Sequence, residues 1–552
     1  MTASKPRPRI RACLRLVVVL GSVALLGCQA IPQTLAGIPG LGEIVAPPLP
    51  PTAELPPPAA RAWPDPAQDV ITQRARGYGL ARMPQLQLYL NGLLAHIKTS
   101  AGVPDWPGEV HILATSTLEA YATAAGNIYV SPSWAAEAQT EDELVALLAH
   151  EFAHVYLHYH QLEGAVQSSD QLATLAAVGV ALARKTGQST GWNQVDTLVT
   201  SYMMGRTLTA ASWGRGQESA ADAFAMNLSF KMGYGYEHGM KVLLERLASW
   251  EETNSERQRA LSQQLLAELQ KQSHDAVMNE PGKDRSSPLA QAMFQPLAGI
   301  NAGINTLLFQ GQEAAKGIAN ATTSTHPQIL ARLDAVAKSV EPLPEALTSR
   351  EPVTAPLEKA LRDKQTASLL KNYELAAQVL ADPSAPDALR LARQAASGLS
   401  ARHAFPLMAV YRAELAQPPA TGKRARKADP GAVLDANLGS APDRAWMLYL
   451  ERSNQLEASG QRKDAIQVMD QGFAHFEASA SIWPQAIAFY GQTQGWAQAQ
   501  ALAQSCRERF GSLAPETTAC NTAAATPEER AAAQRKTDEK ADQLVKKLFN
   551  KN

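Results

Sequence analysis

The sequence predicts an α+β chain, mostly helical, with strand signals among the helices of its first half and an all-helical region after it. Three observations predict this. Leu144, Leu147, Leu148, Phe152 and Val155 recur at helical intervals. Asn127 to Val130 alternate polar and apolar, with Val110 to Ala114 as a neighbouring strand. From about Ala367 to Phe510 the chain is rich in Ala and Leu with helical periodicity and few strand signals. With 552 residues, 45% of them apolar, it is long enough for two or three domains with real cores.

The N-terminus is read first because it sets the compartment. Lys5, Arg7, Arg9, Arg11 and Arg15 precede the apolar run Leu16 to Leu26, which ends in Leu25-Leu26-Gly27-Cys28. This is a secretory signal over residues 1–27, followed by what looks like a bacterial lipobox. The run is too short to span a bilayer as a stable helix. In such lipoproteins the signal is cut before Cys28, which then carries acyl chains and anchors the protein. Gln29 is not the Asp that favours inner-membrane retention in enteric bacteria, so the expected place is the periplasm, at the inner leaflet of the outer membrane. A tether follows over residues 28–69: Pro47, Pro48, Pro50, Pro51 and Pro56 to Pro58 predict an extended, poorly packed stretch. Loss of the first 27 residues removes five of the 51 basic residues and none of the 52 acidic ones, leaving about six net negative charges. This argues against a nucleic-acid partner.

Thr140 and Glu143 have capping-box spacing, so a helix is expected from about Glu141 to about His158. On it His150, Glu151 and His154 spell HExxH. Residues four apart lie roughly 40° apart around the axis, so the two imidazoles face one way and can grip one metal ion. Glu151 is displaced by one residue, where it can take a proton from water without ligating the ion. A third ligand is needed. His160 has the spacing of one class of site, but Leu157 stands where a helix-breaking Gly is required. Glu218, in Arg215-Gly216-Gln217-Glu218-Ser219-Ala220-Ala221-Asp222, is the better candidate. Asp222 shares its helix face and can accept the other ring N–H of a ligating His.

These residues resemble a known family, the HtpX-like and BepA-like zinc metallopeptidases, related to the CAAX prenyl endopeptidases. The matching elements are His150-Glu151-Phe152-Ala153-His154, Glu218-Ser219-Ala220-Ala221-Asp222, and Ser324-Thr325-His326-Pro327 with the trailing Arg332. The resemblance implies a zincin-like (gluzincin-type) peptidase domain with a small sheet, here spanning residues 70–345, and one Zn2+ per chain. It also implies that His326 lies near the metal, to steady the oxyanion or to fill the open coordination position at rest. Two departures stand out: Ala124-Ala125 replace the usual Pro-Gly before Gly126, and the interval from Asp222 to His326 is long. The expected reaction is peptide hydrolysis, with Glu151 as base and then acid. An extended substrate would add to an open edge at Asn127, Ile128, Tyr129 and Val130.

Residues 251–321, polar and then small and apolar, form a helical insertion that is either a lid over the cleft or an ordinary packed hairpin. A helical region follows over 346–515. Gly460 and Gly495 are 35 residues apart, close to the tetratricopeptide period of about 34, which predicts degenerate repeats; a nonrepeating bundle is the alternative. The BepA-like members join a peptidase to such repeats. Residues 516–552 read as a charged helical tail, and Lys423, Arg424, Arg426 and Lys427 as a solvated loop. Of the four cysteines, Cys13 is lost with the signal and Cys28 is acylated, leaving Cys506 and Cys520 as a candidate disulfide.

Two functions are therefore expected in competition. One is an envelope quality-control endopeptidase acting on unfolded or misassembled envelope proteins and docking on outer-membrane assembly machinery through its repeats. The other is a chaperone or adaptor whose zinc site is largely silent.

Overall fold

The computed structural model describes residues 49–58, 60–157, 215–250, 252–253, 329–417, 429–511, 515–526 and 529. The signal, Cys28, most of the tether, His158, His160, nearly all of the insertion, His326 with its Ser-Thr-His-Pro element, the basic cluster and most of the tail lie outside these residues.

In chain order the first half contains α1 (Pro66–Arg74), β1 (Leu80–Ala81), α2 (Pro84–Ser100), β2 (Val110–Leu113), β3 (Ala120–Ala122), β4 (Ile128–Val130), α3 (Pro132–Glu137), α4 (Glu141–Tyr156) and α5 (Arg215–Met232). Residues 240–250 and 329–340 are also helical. The strands form one sheet in the order β1-β2-β4-β3. β2 and β4 run parallel, with Val110 opposite Ile128, while β3 runs antiparallel to β4, with Tyr121 opposite Tyr129.

This register corrects the expected edge. Ile128, Tyr129 and Val130 are all buried and paired on both sides, so the open edge next to β4 belongs to Ala120–Ala122. The physical reason is that both faces of β4 are covered. Ile128 and Val130 point into the main core with α2 and α4, whereas Tyr129 points the other way, against Leu80 and Leu113. Three consecutive apolar residues with no solvent face mark an interior strand. On the Tyr129 face, α1 caps the sheet. Its Asp69 carboxylate accepts from Thr123 Oγ1 at 2.7 Å, Asn127 Nδ2 at 2.8 Å and Tyr129 Oη at 2.8 Å.

The tether also needs correcting at its end. Residues 50–56 are bonded to the domain: Asn227 Nδ2 donates to Pro50 O and Ala53 O, and Tyr156 Oη donates to Pro56 O at 2.7 Å. A Pro-rich segment has few backbone bonds of its own, so its carbonyls are free to accept from side chains that would otherwise be buried without partners.

α4 begins at Thr140, whose hydroxyl accepts from Glu143 N–H at 3.2 Å. Glu143 turns back to Gln139 N–H instead of the N-cap N–H. The first turn carries three acids, Glu141, Asp142 and Glu143, and all three are buried. Each is answered. Tyr89 and Tyr234 donate to Glu141 at 2.8 Å each, Val353 N–H and Gly235 N–H donate to Asp142, and Arg246 pairs with Glu143. Negative charge is favoured at a helix N-terminus, and these bonds fix the start of α4 against three distant segments. Asp142→Ala would leave two buried N–H groups without an acceptor. It should cost about 2–4 kcal/mol in denaturant unfolding; a loss below 0.5 kcal/mol would show that Asp142 is not the clamp.

The second half is helical: Ala355–Arg362, Lys364–Ala381, Ala388–Ala395 and Ala404–Ala416, then the pairs Trp446–Ala458 with Arg462–Phe476 and Trp483–Thr493 with Trp496–Phe510, and Pro515–Ala524. Each pair turns at a glycine with positive φ, Gly460 at 81° and Gly495 at 104°, which an L side chain rarely adopts. Glycine also permits close approach inside the pairs: a Cβ on Gly472 would meet Tyr449 at 2.6 Å, and one on Gly491 would meet Trp496 at 2.6 Å. Cys506 and Cys520 form a disulfide in the buried core. One continuous apolar core runs from Tyr78 through the sheet, α4 and α5 to Phe405 and Leu448, and Arg82 reaches Asp443 at 2.6 Å. The helices of the second half are therefore packed on the site-bearing half through shared core and an ion pair.

Candidate metal centre

α4 and α5 pack face to face, and their contact is the most extensive between any two described elements. Both helices carry small residues, Ala146, Ala149, Ala153, Ala221 and Ala225, all essentially fully buried, and small side chains let packed helix axes approach closely. This approach brings His150 and His154, one turn apart on α4, to Glu218 on the first turn of α5.

The geometry is that of a small set of donors aimed at one point. His150 Nε2 and His154 Nε2 are 3.2 Å apart, and each lies 3.5 Å from one oxygen of the Glu218 carboxylate. Nitrogens held at 2.0–2.1 Å from a tetrahedral ion would be about 3.3 Å apart, so the spacing fits a divalent cation. Protonation fits as well. His150 Nδ1 sits 2.9 Å from Asp222 Oδ1. A carboxylate only accepts, so that nitrogen carries a proton and Nε2 is the atom left to ligate a metal, once its own proton is displaced.

The local field favours positive charge. Burial works against an imidazolium at His150, yet its bonds to Asp222 and Glu218 overcome this and push its pKa up to about 10. Burial would raise Glu218, but Arg332, His150 and His154 beside it hold the carboxyl down to about 2. Asp222 is likewise held well below the usual range, against its burial, by Arg332 and His150. The ionised Glu218 carboxylate and two imidazole nitrogens in a buried pocket, with ionised Asp222 behind His150, are a donor set suited to a cation.

Glu151 stands apart from the ligand set. Burial, more than any neighbour, pushes its carboxyl up to about 7, with the charge on His150 opposing. The Ala122 N–H donates to it. Ser131 N–H bonds Glu119 O, and Thr123 N–H bonds Asn127 O, so odd-numbered positions of this stretch face β4. Ala120 and Ala122 therefore turn their backbone groups to the open edge, and Glu151 sits at that edge.

Arg332, expected as an outer partner, is bound to both acids. Its Nε and Nη2 donate to Asp222 at 2.7 Å each, and its Nη1 lies 2.6 Å from Glu218 Oε2. Thus His150, Glu151, His154, Glu218, Asp222 and Arg332 come together from three segments. Asn127 to Val130 do not line the site, and His326 is outside the described residues. Sequence reasoning missed the Ala122 N–H and the Tyr89 and Tyr234 bonds to Glu141. The three acids opening an apolar helix were a usable signal for the second; a backbone donor leaves none.

An HExxH helix joined by a glutamate from a second helix, with a free glutamate beside an open strand edge, defines a metal-dependent hydrolase centre. The comparison with known families agrees: residues 84–340 match the model of peptidase family M48, which indicates a metallopeptidase and hence a hydrolase. No curated protein matches the chain.

Proposed function

We propose that the protein is a zinc-dependent endopeptidase of the HtpX-like and BepA-like type that cleaves extended segments of unfolded or misassembled envelope proteins. The observation that carries this reading is the convergence of His150, His154 and Glu218 with Glu151 held at the β3 edge. Held by His150, His154 and Glu218, a Zn2+ would supply Lewis acidity to the scissile carbonyl and to water. Glu151, with its carboxyl near neutrality, takes a proton from the attacking water and returns it to the leaving nitrogen. The edge groups of Ala120 and Ala122 pair with an extended peptide, which reads little side-chain sequence. Asp222 keeps His150 in one tautomer, and Arg332 keeps both acids ionised.

The lipobox at Cys28 supports anchoring at the inner leaflet of the outer membrane. The paired helices with glycine turns support tetratricopeptide-like repeats that dock on outer-membrane assembly machinery. The metal reading is tested by loading the purified full chain with Zn2+ and following cleavage of unfolded casein. One ion per chain and chelator-sensitive cleavage are expected; a chain that binds no Zn2+ would end the proposal. For the edge, Ala120→Pro removes one backbone donor without touching a ligand. It should lower kcat/KM about 5- to 10-fold, mostly through KM, the equivalent of one hydrogen bond. Unchanged KM would place the substrate elsewhere.

A further inference from the structure

The last turn of α4 carries His154 and ends at Tyr156, and the carbonyls of a last helical turn can accept from donors outside the helix. A residue far away in sequence reaches them. Arg61 donates through Nη1 to Val155 O and through Nη2 to Tyr156 O, the latter at 2.9 Å. The guanidinium is held in place by two indoles: its central carbon lies 4.8 Å from the Trp63 ring and 4.6 Å from the Trp106 ring. Trp106 in turn contacts Phe152 and Tyr156 on α4, with centroids 5.9 and 5.4 Å apart. The loop bearing Trp106 is itself fixed, because Lys98 Nζ donates to the carbonyls of Trp106, Pro107 and Gly108 at 2.9, 3.1 and 2.7 Å.

The same N-terminal strap bonds α5. Asn227, fully buried, donates to Pro50 O and Ala53 O, so Pro50, Ala53 and Arg61 together touch both helices that carry the ligands. A cation at a helix C-terminus interacts favourably with the macrodipole and satisfies carbonyls that otherwise fray. Fraying here would act on His154, two residues from the capped end, and a ligand set tolerates only about 0.5 Å of misplacement.

We infer that Arg61 is a positioning residue for the metal centre: packed against both Trp63 and Trp106, it locks the last turn of α4 and so sets the direction of His154. The N-terminal strap is thereby part of the site's support and not only a spacer. This rests on the metal-centre reading above.

The test uses full-length chains, metal-free, titrated with Zn2+ against a chromophoric chelator, and the same chains loaded with Co2+ for visible absorption. Arg61→Met should bind Zn2+ about tenfold more weakly, the lower end of what losing an outer partner of a ligand costs. Its Co2+ bands should shift, because the ligand field reports the placement of His154. Arg61→Lys, which returns a cation to the carbonyls, should recover at least half of the affinity. A purely structural role would lower the melting temperature without moving the Co2+ bands. Wild-type Zn2+ affinity and Co2+ spectrum in Arg61→Met, or no recovery with Lys, would overturn the inference. Should Arg61→Met not fold, Trp63→Leu decides: it keeps the guanidinium but removes one stacking face, and its affinity should fall about threefold; an unchanged value would be fatal. Failure of the wild-type chain to bind Zn2+ at all would instead strike the metal-centre reading.

Discussion

Glu151→Gln should reduce kcat for cleavage of an unfolded protein by about 10²- to 10⁴-fold, the range supplied by a positioned general acid–base group, while Zn2+ content stays at one per chain. The substitution keeps the size of the side chain and an oxygen able to accept the Ala122 N–H, so the helix and the β3 edge are undisturbed. What it removes is the capacity to hold a proton. Because Glu151 is outside the ligand set, KM should change little, and extended substrates should remain bound and become recoverable in complex. The check is a pair of measurements, metal analysis and initial rates on casein. Rates within a fewfold of wild type at full Zn2+ loading would shift the base to another residue. Loss of the ion with the rate would mean that Glu151 helps hold the metal.

Arg332→Leu should separate the stability of the metal-free and metal-loaded states. In the structure one guanidinium is shared by Asp222 and Glu218, with contacts of 2.6 to 2.7 Å, and all three groups are largely buried. Removing it takes from two buried carboxylates the cation they share, a type of change that costs about 3–5 kcal/mol. Zn2+ bound between His150, His154 and Glu218 restores positive charge beside the same carboxylates, so the loss should be smaller when the metal is present. By linkage, the variant then gains more stability from Zn2+ than wild type does, and its affinity for the ion should not fall. Denaturant unfolding with and without Zn2+ reads both values. An equal loss in the two forms, or weaker Zn2+ binding, would show that Arg332 orients Glu218 for the ion instead of balancing its charge.

The local elements were legible because their signals are local. The α4 pattern, its Thr140 cap and the HExxH spacing depend on residues within a few turns of one another. The same holds for the glycine turns at Gly460 and Gly495, where backbone conformation alone demands the residue. Glu218 and Asp222 could be paired because one helical turn separates them. The edge was misassigned for the opposite reason. Asn127 to Val130 have a strand pattern, but which side of a strand stays open depends on partners from elsewhere, and Ala120–Ala122 took that side. Likewise, a Pro-rich stretch reads as a spacer until Asn227 and Tyr156 are seen bonding its carbonyls.

By itself, then, the sequence determined which residue types were available for the chemistry and at what helical phase they stood, since period and capping are written within a dozen residues. Only the tertiary structure decided that Glu218 meets both imidazoles, that Arg332 binds two acids at once, that Glu151 faces the β3 edge and that Arg61 closes the end of α4. Those are contacts between segments separated by tens to hundreds of residues. Their partners are selected by the packing of α4 against α5 and by the need of every buried charge and carbonyl for an opposite group.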